Sequence, residues 1–473
     1  MNNVQVTGQA IRRPRSEGPP VITWALIFIA LVSAVASTIV VEAIFLSGLC
    51  MAIALFSKPQ YILGFFLLFH WSQYIPKIGK VIEKARVNLG PVSVTPHDVF
   101  FGIIFIVIAR AIIARPIKTQ FLFKSMLGKA ILLFFLYQGV QAFWCVITGV
   151  PLDSVIRESA KYMVCFYAFF IYFYFDSESI KPYFKLAFWL IMSLPIFQSI
   201  MIATGEVWKT SSGTDRTYYI GVNIFFLGII VFQLARQKFT MQSIFIIIYM
   251  MAGMAMTQYR SAFLAFLAVV GLVGIYYFRD GKINRIVFGG TGMFVALSVA
   301  VLVLSFVRPE FISQTVTRYS DTFNTQDMNA QSRSFMWGVS WDAFLSKPIA
   351  GVGVANSIYS FAGDNSIEAQ KQWSPHNFVM RILAKEGIIG FGLLVYLLWA
   401  MFKMVRGRRG SALYGEEIRR TMSLFMAAII IVNLMNTTFT ATQSNFVLWF
   451  MAGFMLMYLW ERKITLQAMA ANN

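Results

Sequence analysis

The chain has 473 residues, of which 58% are hydrophobic and only 13% charged, and its formal net charge is +19. A soluble domain is closer to half apolar and a quarter charged, so a water-soluble globular fold is excluded. In a membrane protein an excess of Lys and Arg records the cytoplasmic loops before it signals a nucleic-acid partner, and none is expected here.

The apolar residues fall into repeated runs of about 17 to 25 residues, the length that crosses a hydrocarbon core of about 30 Å. Backbone polar groups in lipid must be satisfied within the segment, so these runs read as helices. The reading is an all-α polytopic membrane protein with about 12–14 transmembrane helices. Residues 1–20, with Arg12, Arg13 and Arg15 among prolines, form a polar cytoplasmic tail, with no convincing cleavage site after it. Spans follow near 21–38, 40–56, 60–75, 98–114, 130–149, 160–176, 184–204, 217–235, 241–258, 261–278 and 286–306. Three more lie near 377–402, 421–440 and 444–460, before a cytoplasmic tail at 461–473.

Charge selects the orientation. With the N-terminus inside, the cytoplasmic segments collect Arg115, Lys118, Arg236, Lys238, Arg279, Lys282, Arg406, Arg408 and Arg409, among others. The reverse topology would put the 406–409 cluster outside, against the positive-inside rule for short loops. Both termini are therefore placed in the cytoplasm of a cell inner membrane. The periplasmic face then carries loops at 76–97, 150–159 and 205–216, and one long loop at 307–375.

That long loop is structured. From Ser332 to Lys347, Phe335, Trp337, Trp341, Phe344 and Leu345 recur at roughly helical spacing, and Pro348 ends the run. An amphipathic helix with two tryptophans suits the membrane–water boundary. Gly351 and Gly353 follow in Pro-Ile-Ala-Gly-Val-Gly and mark a tight turn.

Candidate chemistry collects on the same face. His376, at the junction of the long loop and the next span, is of the residue type that can titrate near neutrality and suits a general base; alone, it reads more readily as an interfacial histidine. Arg216 and Arg260 both sit at periplasmic ends of spans, where the positive-inside rule disfavours them. Arginine pairs there suit an anionic headgroup or a pyrophosphate, against the plainer reading of snorkelling side chains. Arg333 either braces the amphipathic helix or joins the anion site. The periplasmic carboxylates, Glu158 among them, show no paired spacing for a metal. Cys50, Cys145 and Cys165 offer neither a disulfide framework nor a zinc site. No nucleotide-binding glycine motif is present.

Several fragments resemble the O-antigen ligase and Wzy-type polymerase superfamily. Arg333-Ser-Phe-Met-Trp337 followed by Lys347-Pro-Ile-Ala-Gly351-Val-Gly353 is similar to its R-x-x-x-W … P-x-x-G-x-G signature. His376-Asn377 followed by Glu386-Gly387-Ile-Ile-Gly390 resembles its H-N … E-G-I-I-G element. Thr257-Gln-Tyr-Arg260 and Arg216 with Asn223 resemble its arginine-bearing helix ends. The order of the fragments from 216 to 390 matches as well. The resemblance implies metal-independent, inverting glycosyl transfer from an undecaprenyl-pyrophosphate-linked donor, with no cofactor. Arg216 and Arg260 would hold the pyrophosphate, His376 would deprotonate the acceptor, and Arg333 and Glu386 would support the site.

The acceptor distinguishes a polymerase, acting on a second lipid-linked repeat, from a ligase, acting on lipid A core. The loop from Val87 to Asp98 resembles that of exopolysaccharide polymerases, which favours the former. A chain-length regulator and a flippase are the partners that reading implies. The rival class is a lipid-linked glycan transporter. It expects charges near span centres and paired broken helices, whereas the spans read as nearly free of central charges.

Overall fold

The computed structural model describes residues 59–72, 87–89, 92–94, 96–205, 208–209, 215–216, 221–236, 240–257, 259–281, 298, 313, 328–358, 377–406, 408–435 and 442–472. In chain order the first described helices are α1 (Tyr61–Ser72), α2 (Pro96–Ala114) and α3 (Pro116–Lys124). Then come α4 (Met126–Ile147), α5 (Leu152–Met163), α6 (Phe166–Tyr174), α7 (Lys181–Thr204), α8 (Gly221–Ala235), α9 (Met241–Thr257) and α10 (Arg260–Arg279). The C-terminal part holds α11 (Met328–Ser346), α12 (Phe378–Val405), α13 (Arg408–Met435) and α14 (Thr442–Asn472). Two short antiparallel hairpins are present among the described residues: β1 (Val87–Leu89) with β2 (Val92–Val94), and β3 (Trp208–Lys209) with β4 (Asp215–Arg216).

Four helices among the described residues are long and apolar enough to cross a membrane: α4, α7, α12 and the stretch Ser261–Arg279 of α10. Large apolar side chains such as Ile113, Phe143, Trp189 and Phe278 stand exposed on helix exteriors. Water would not tolerate so continuous an apolar exterior. The chain is an integral membrane protein.

The expected span at 160–176 takes a different form. The chain breaks at Val164–Cys165 between α5 and α6. The nine residues of α6 rise only about 13 Å, too little to cross alone. Every residue from Phe166 to Phe173 is buried. Against it lies α14, so close that a Cβ on Gly453 would fall 2.5 Å from the Ala168 carbonyl oxygen. An apolar run of this length is equally suited to lipid and to protein interior, and here the aromatic side chains are needed inside. Arg115, capping the start of α3, and Lys118 within it reach the Phe173 carbonyl at the C-terminus of α6, where cations complement the helix dipole.

The stretch 150–159, expected as a loop, is mostly helical in α5. Val155 and Tyr162 are buried, with Glu158 and Ser159 on the same inward side at helical spacing. Leu152 and Met163 are exposed. In the long loop, α11 is longer than its expected core of Ser332 to Lys347. It buries Met336, Val339, Ser340 and Ala343 and packs on α12, while Phe335, Trp341 and Leu345 remain outward. The aromatic residues thus face away from the protein, and the smaller ones make the seam.

Candidate functional site

The geometry begins with a break in α12. At Gly387 the backbone takes φ 66° and ψ −165°, a combination essentially confined to glycine. A break there removes the helical bonds from Ile388 N to Ala384 O and from Ile389 N to Lys385 O. Buried backbone groups must find other partners, and the segment after α11 supplies all four. Ile388 N donates to Pro348 O at 2.9 Å and Ile389 N to Ile349 O at 3.2 Å. Ala384 O accepts from Val352 N and Lys385 O from Gly353 N, each at 2.9 Å. The two sequence fragments Lys347–Gly353 and Glu386–Gly390 are therefore one structural unit. Gly351 and Gly353, with φ of 73° and 109°, make the turn that allows it.

Beside this zipper, the fully buried Glu386 carboxylate is held from two neighbouring helices. Tyr162 Oη on α5 donates to Oε1 at 2.6 Å, and Gln138 Nε2 on α4 donates to Oε2 at 2.6 Å. Tyr137 Oη donates to the Glu386 carbonyl at 2.6 Å, and Gln141 Nε2 to the Ala350 carbonyl at 2.7 Å. Glu386 thus sits among neutral donors that fix the orientation of the kink.

One turn nearer the start of α12 lies an ion cluster. Glu158 on α5 accepts from Lys161 Nζ at 2.5 Å and from Arg381 Nη2 at 2.6 Å, with Lys385 Nζ 3.7 Å away. Lys385 Nζ also donates to Val354 O at 2.8 Å, tying the glycine turn to the same cluster. Burial pushes the Glu158 carboxyl up, but the charges of Lys385, Arg381 and Lys161 outweigh it and hold the group down at about 2. Arg381, Lys385 and Glu386 all lie within the expected span 377–402. The reading that spans are nearly free of central charges does not hold for this helix. Their i, i+4, i+5 spacing was the available signal, since ionisable residues in a span mark function by default.

A second junction joins the arginine-bearing helix ends. Thr257 Oγ1, in the last turn of α9, donates to Asn223 Oδ1, in the first turn of α8, at 2.9 Å, and both residues are fully buried. This bond holds together the helix ends next to Arg216 and Arg260. Arg216 is in β4, paired with Trp208 across the hairpin, and Arg260 is the first residue of α10. Their side chains, and His376 entirely, lie outside the described residues. Asn377, directly after His376, caps α12 by accepting from Met380 N at 3.2 Å. Arg333 is half-buried on α11. Among the described residues no group of three or more His, Cys, Asp or Glu side chains is gathered as for a metal.

Residues 245–395 match the Wzy_C family model, O-antigen ligase. The matched stretch runs from α9 into α12 and contains Thr257, Arg260, Arg333, the glycine turn, His376 and the kink. It leaves out Arg216 and the helices α4 and α5 that grip Glu386. A Rickettsia conorii protein carried under the name of a candidate polysaccharide ligase is 23% identical over 185 residues, covering 37% of this chain. The match spans 42% of that relative's length. Both comparisons agree with the sequence resemblance at the level of the ligase and polymerase superfamily.

Proposed function

We propose that this chain is a glycosyltransferase of the inner membrane that lengthens an undecaprenyl-pyrophosphate-linked glycan at the periplasmic surface. The observation that carries the reading is the docking of Pro348–Gly353 onto the Gly387 kink, within the O-antigen ligase match and about three helical turns along the chain from the junction that bears His376. Arg216 and Arg260 hold the donor pyrophosphate and stabilise the charge that develops as it leaves. His376 takes the proton from the acceptor hydroxyl, which attacks the anomeric carbon from the face opposite the leaving group, giving inversion. The polyprenyl pyrophosphate is itself the activated leaving group, so no cofactor or metal is required. Arg333 and Glu386 act from the second tier, Glu386 by setting the kink.

A second reading, ligation of the glycan onto lipid A core, is favoured by the names of the matching family and of the Rickettsia conorii protein, both of which say ligase. The 87–98 loop supports polymerisation. A chain-length regulator and a flippase would be partners of the polymerase. Protein reconstituted in vesicles with a labelled polyprenyl-pyrophosphate oligosaccharide tests the enzyme reading: chain lengthening or transfer supports it, and translocation of unaltered substrate would replace it with a transporter.

A further inference from the structure

A second charged cluster lies where α3, the C-terminus of α6 and α14 meet, and the site on α12 uses none of it. With nine residues, α3 rises about 13 Å and joins α2 to α4 without crossing the bilayer. Arg115 and Lys118 both donate to the Phe173 carbonyl, and Lys118 also reaches the Tyr172 carbonyl at 3.1 Å. The indole of Trp460 on α14 links them to a third cation. Lys118 Nζ lies 6.0 Å from its centroid and Lys463 Nζ 5.5 Å. Lys463 Nζ also stands 5.2 Å over Phe121, whose ring meets Trp460 at 5.4 Å. The ion pairs among the described residues include none of these three cations. The two carboxylates whose charge reaches Lys118 are Asp176 and Glu461. Both are committed to the turn before α7: Asp176 Oδ1 accepts from Glu178 N and Ser179 N, and Glu461 Oε1 from Ser177 N. Carbonyl dipoles and ring faces neutralise an ammonium only in part. Burial, reinforced by the Arg115 charge, pulls the Lys118 ammonium down to about 8. The outer side of the cluster is open. Arg115 is exposed, and so are Ile113 at the end of α2 and Ile117 and Phe123 on α3, which continue the apolar exterior of the bundle.

We propose that Arg115, Lys118 and Lys463 bind the phosphodiester of one anionic phospholipid, whose acyl chains lie along Ile113, Ile117 and Phe123. The inference needs only an integral membrane protein and stands apart from the glycosyl-transfer reading. A phospholipid suits this surface better than a soluble anion, because cations and exposed apolar side chains adjoin here on one short helix that does not span. Trp460 and Phe121 separate the two regions, and an amphipathic indole belongs at headgroup level. The phosphate supplies the counter-charge that the carbonyls and rings do not, and it offsets the repulsion between Arg115 and Lys118, which share one acceptor. Bound there, the lipid bridges α3 to α14 across the end of α6.

Purified full-length protein in neutral detergent tests the site, with phosphatidylglycerol and phosphatidylcholine added separately. The readouts are melting temperature and the lipid retained in native mass spectrometry. Phosphatidylglycerol should raise the melting temperature and leave one tightly held equivalent, and phosphatidylcholine should do neither. Lys463 reaches only aromatic rings, so Lys463→Gln should keep the lipid-free melting temperature and weaken phosphatidylglycerol by about tenfold. A purely structural role would not separate those two readouts. Lys118→Gln also loses two carbonyl bonds and should lower both. Lys403→Gln, which removes a lysine stacked on Trp399 of α12, is the control and should leave phosphatidylglycerol binding unchanged. Equal retention of the two lipids, or wild-type phosphatidylglycerol affinity in Lys463→Gln, overturns the site. An equal loss in Lys403→Gln overturns it as well, since general surface attraction would then account for the binding. If inorganic phosphate displaces phosphatidylglycerol and protects the protein to the same extent, the site takes a soluble anion and the lipid assignment fails.

Discussion

Gly387 and Gly351 meet back to back: a methyl group on Gly387 would fall 2.6 Å from the Gly351 nitrogen and overlap the Ile349 carbonyl. A Cβ on Gly351 would in turn strike the Lys385 and Glu386 backbone. Two main chains in direct contact leave no room for any side chain, and both glycines also have positive φ. Gly387→Ala should therefore destabilise the protein by about 3 kcal/mol, read as a lowered melting temperature in detergent. Gly392, on the same helix with open space around it, is the control. Gly392→Ala should be neutral or slightly stabilising.

The grip on Glu386 gives a second prediction. Tyr162→Phe removes one of its two side-chain donors without changing shape and leaves Oε1 buried and unpaired. The expected cost is about 1–3 kcal/mol. Gln138→Leu removes the other donor, and the double variant should cost less than the sum of the two if the carboxyl then takes up a proton. A thermal-melt mutant cycle measures the coupling.

The Glu158 cluster predicts an acid limb. The carboxyl is held at about 2 in the folded protein, below its ordinary value of 4.5. Its contribution is therefore fully present above pH 4.5 and is lost as pH falls from there towards 2. The amount is on the order of 3 kcal/mol. Melting temperature against pH should be flat for this group between pH 5 and 8 and should fall below 4.5. Glu158→Gln should lower the plateau and remove that step.

Much of this was legible in the sequence. The apolar runs located α2, α4, α7, α8, α9, α10 and α12 to within a few residues, because lipid demands a long helical segment wherever the chain crosses. The Pro348–Gly353 and Glu386–Gly390 fragments were visible as strings, but their contact was not. A glycine string states that a backbone comes close to something without naming the partner. The Glu158 cluster has no signature of paired carboxylates along the chain, because it is three cations around one carboxylate contributed by two helices far apart in sequence. The α5–α6 break was missed because the hydropathy of 160–176 is as suited to protein interior as to lipid.

The Asn223–Thr257 bond predicts an effect on turnover. Asn223→Ala removes the cross-link from Thr257, whose hydroxyl then keeps only the Met254 carbonyl of its own helix, and loosens the start of α8 after Arg216 and the end of α9 before Arg260. Misplacing a binding group by about 1 Å costs up to about 100-fold in rate. Glycan transfer should fall by 10-fold or more while the protein still inserts and accumulates, measured with a labelled lipid-linked oligosaccharide in membranes.

The central claim is that His376 activates the acceptor for glycosyl transfer at the periplasmic surface. A cell carrying His376→Ala at normal protein level, analysed for glycan length, tests it most directly. The account predicts loss of high-molecular-weight polysaccharide with accumulation of single lipid-linked repeats. Polymer of normal length and amount from that variant would contradict it.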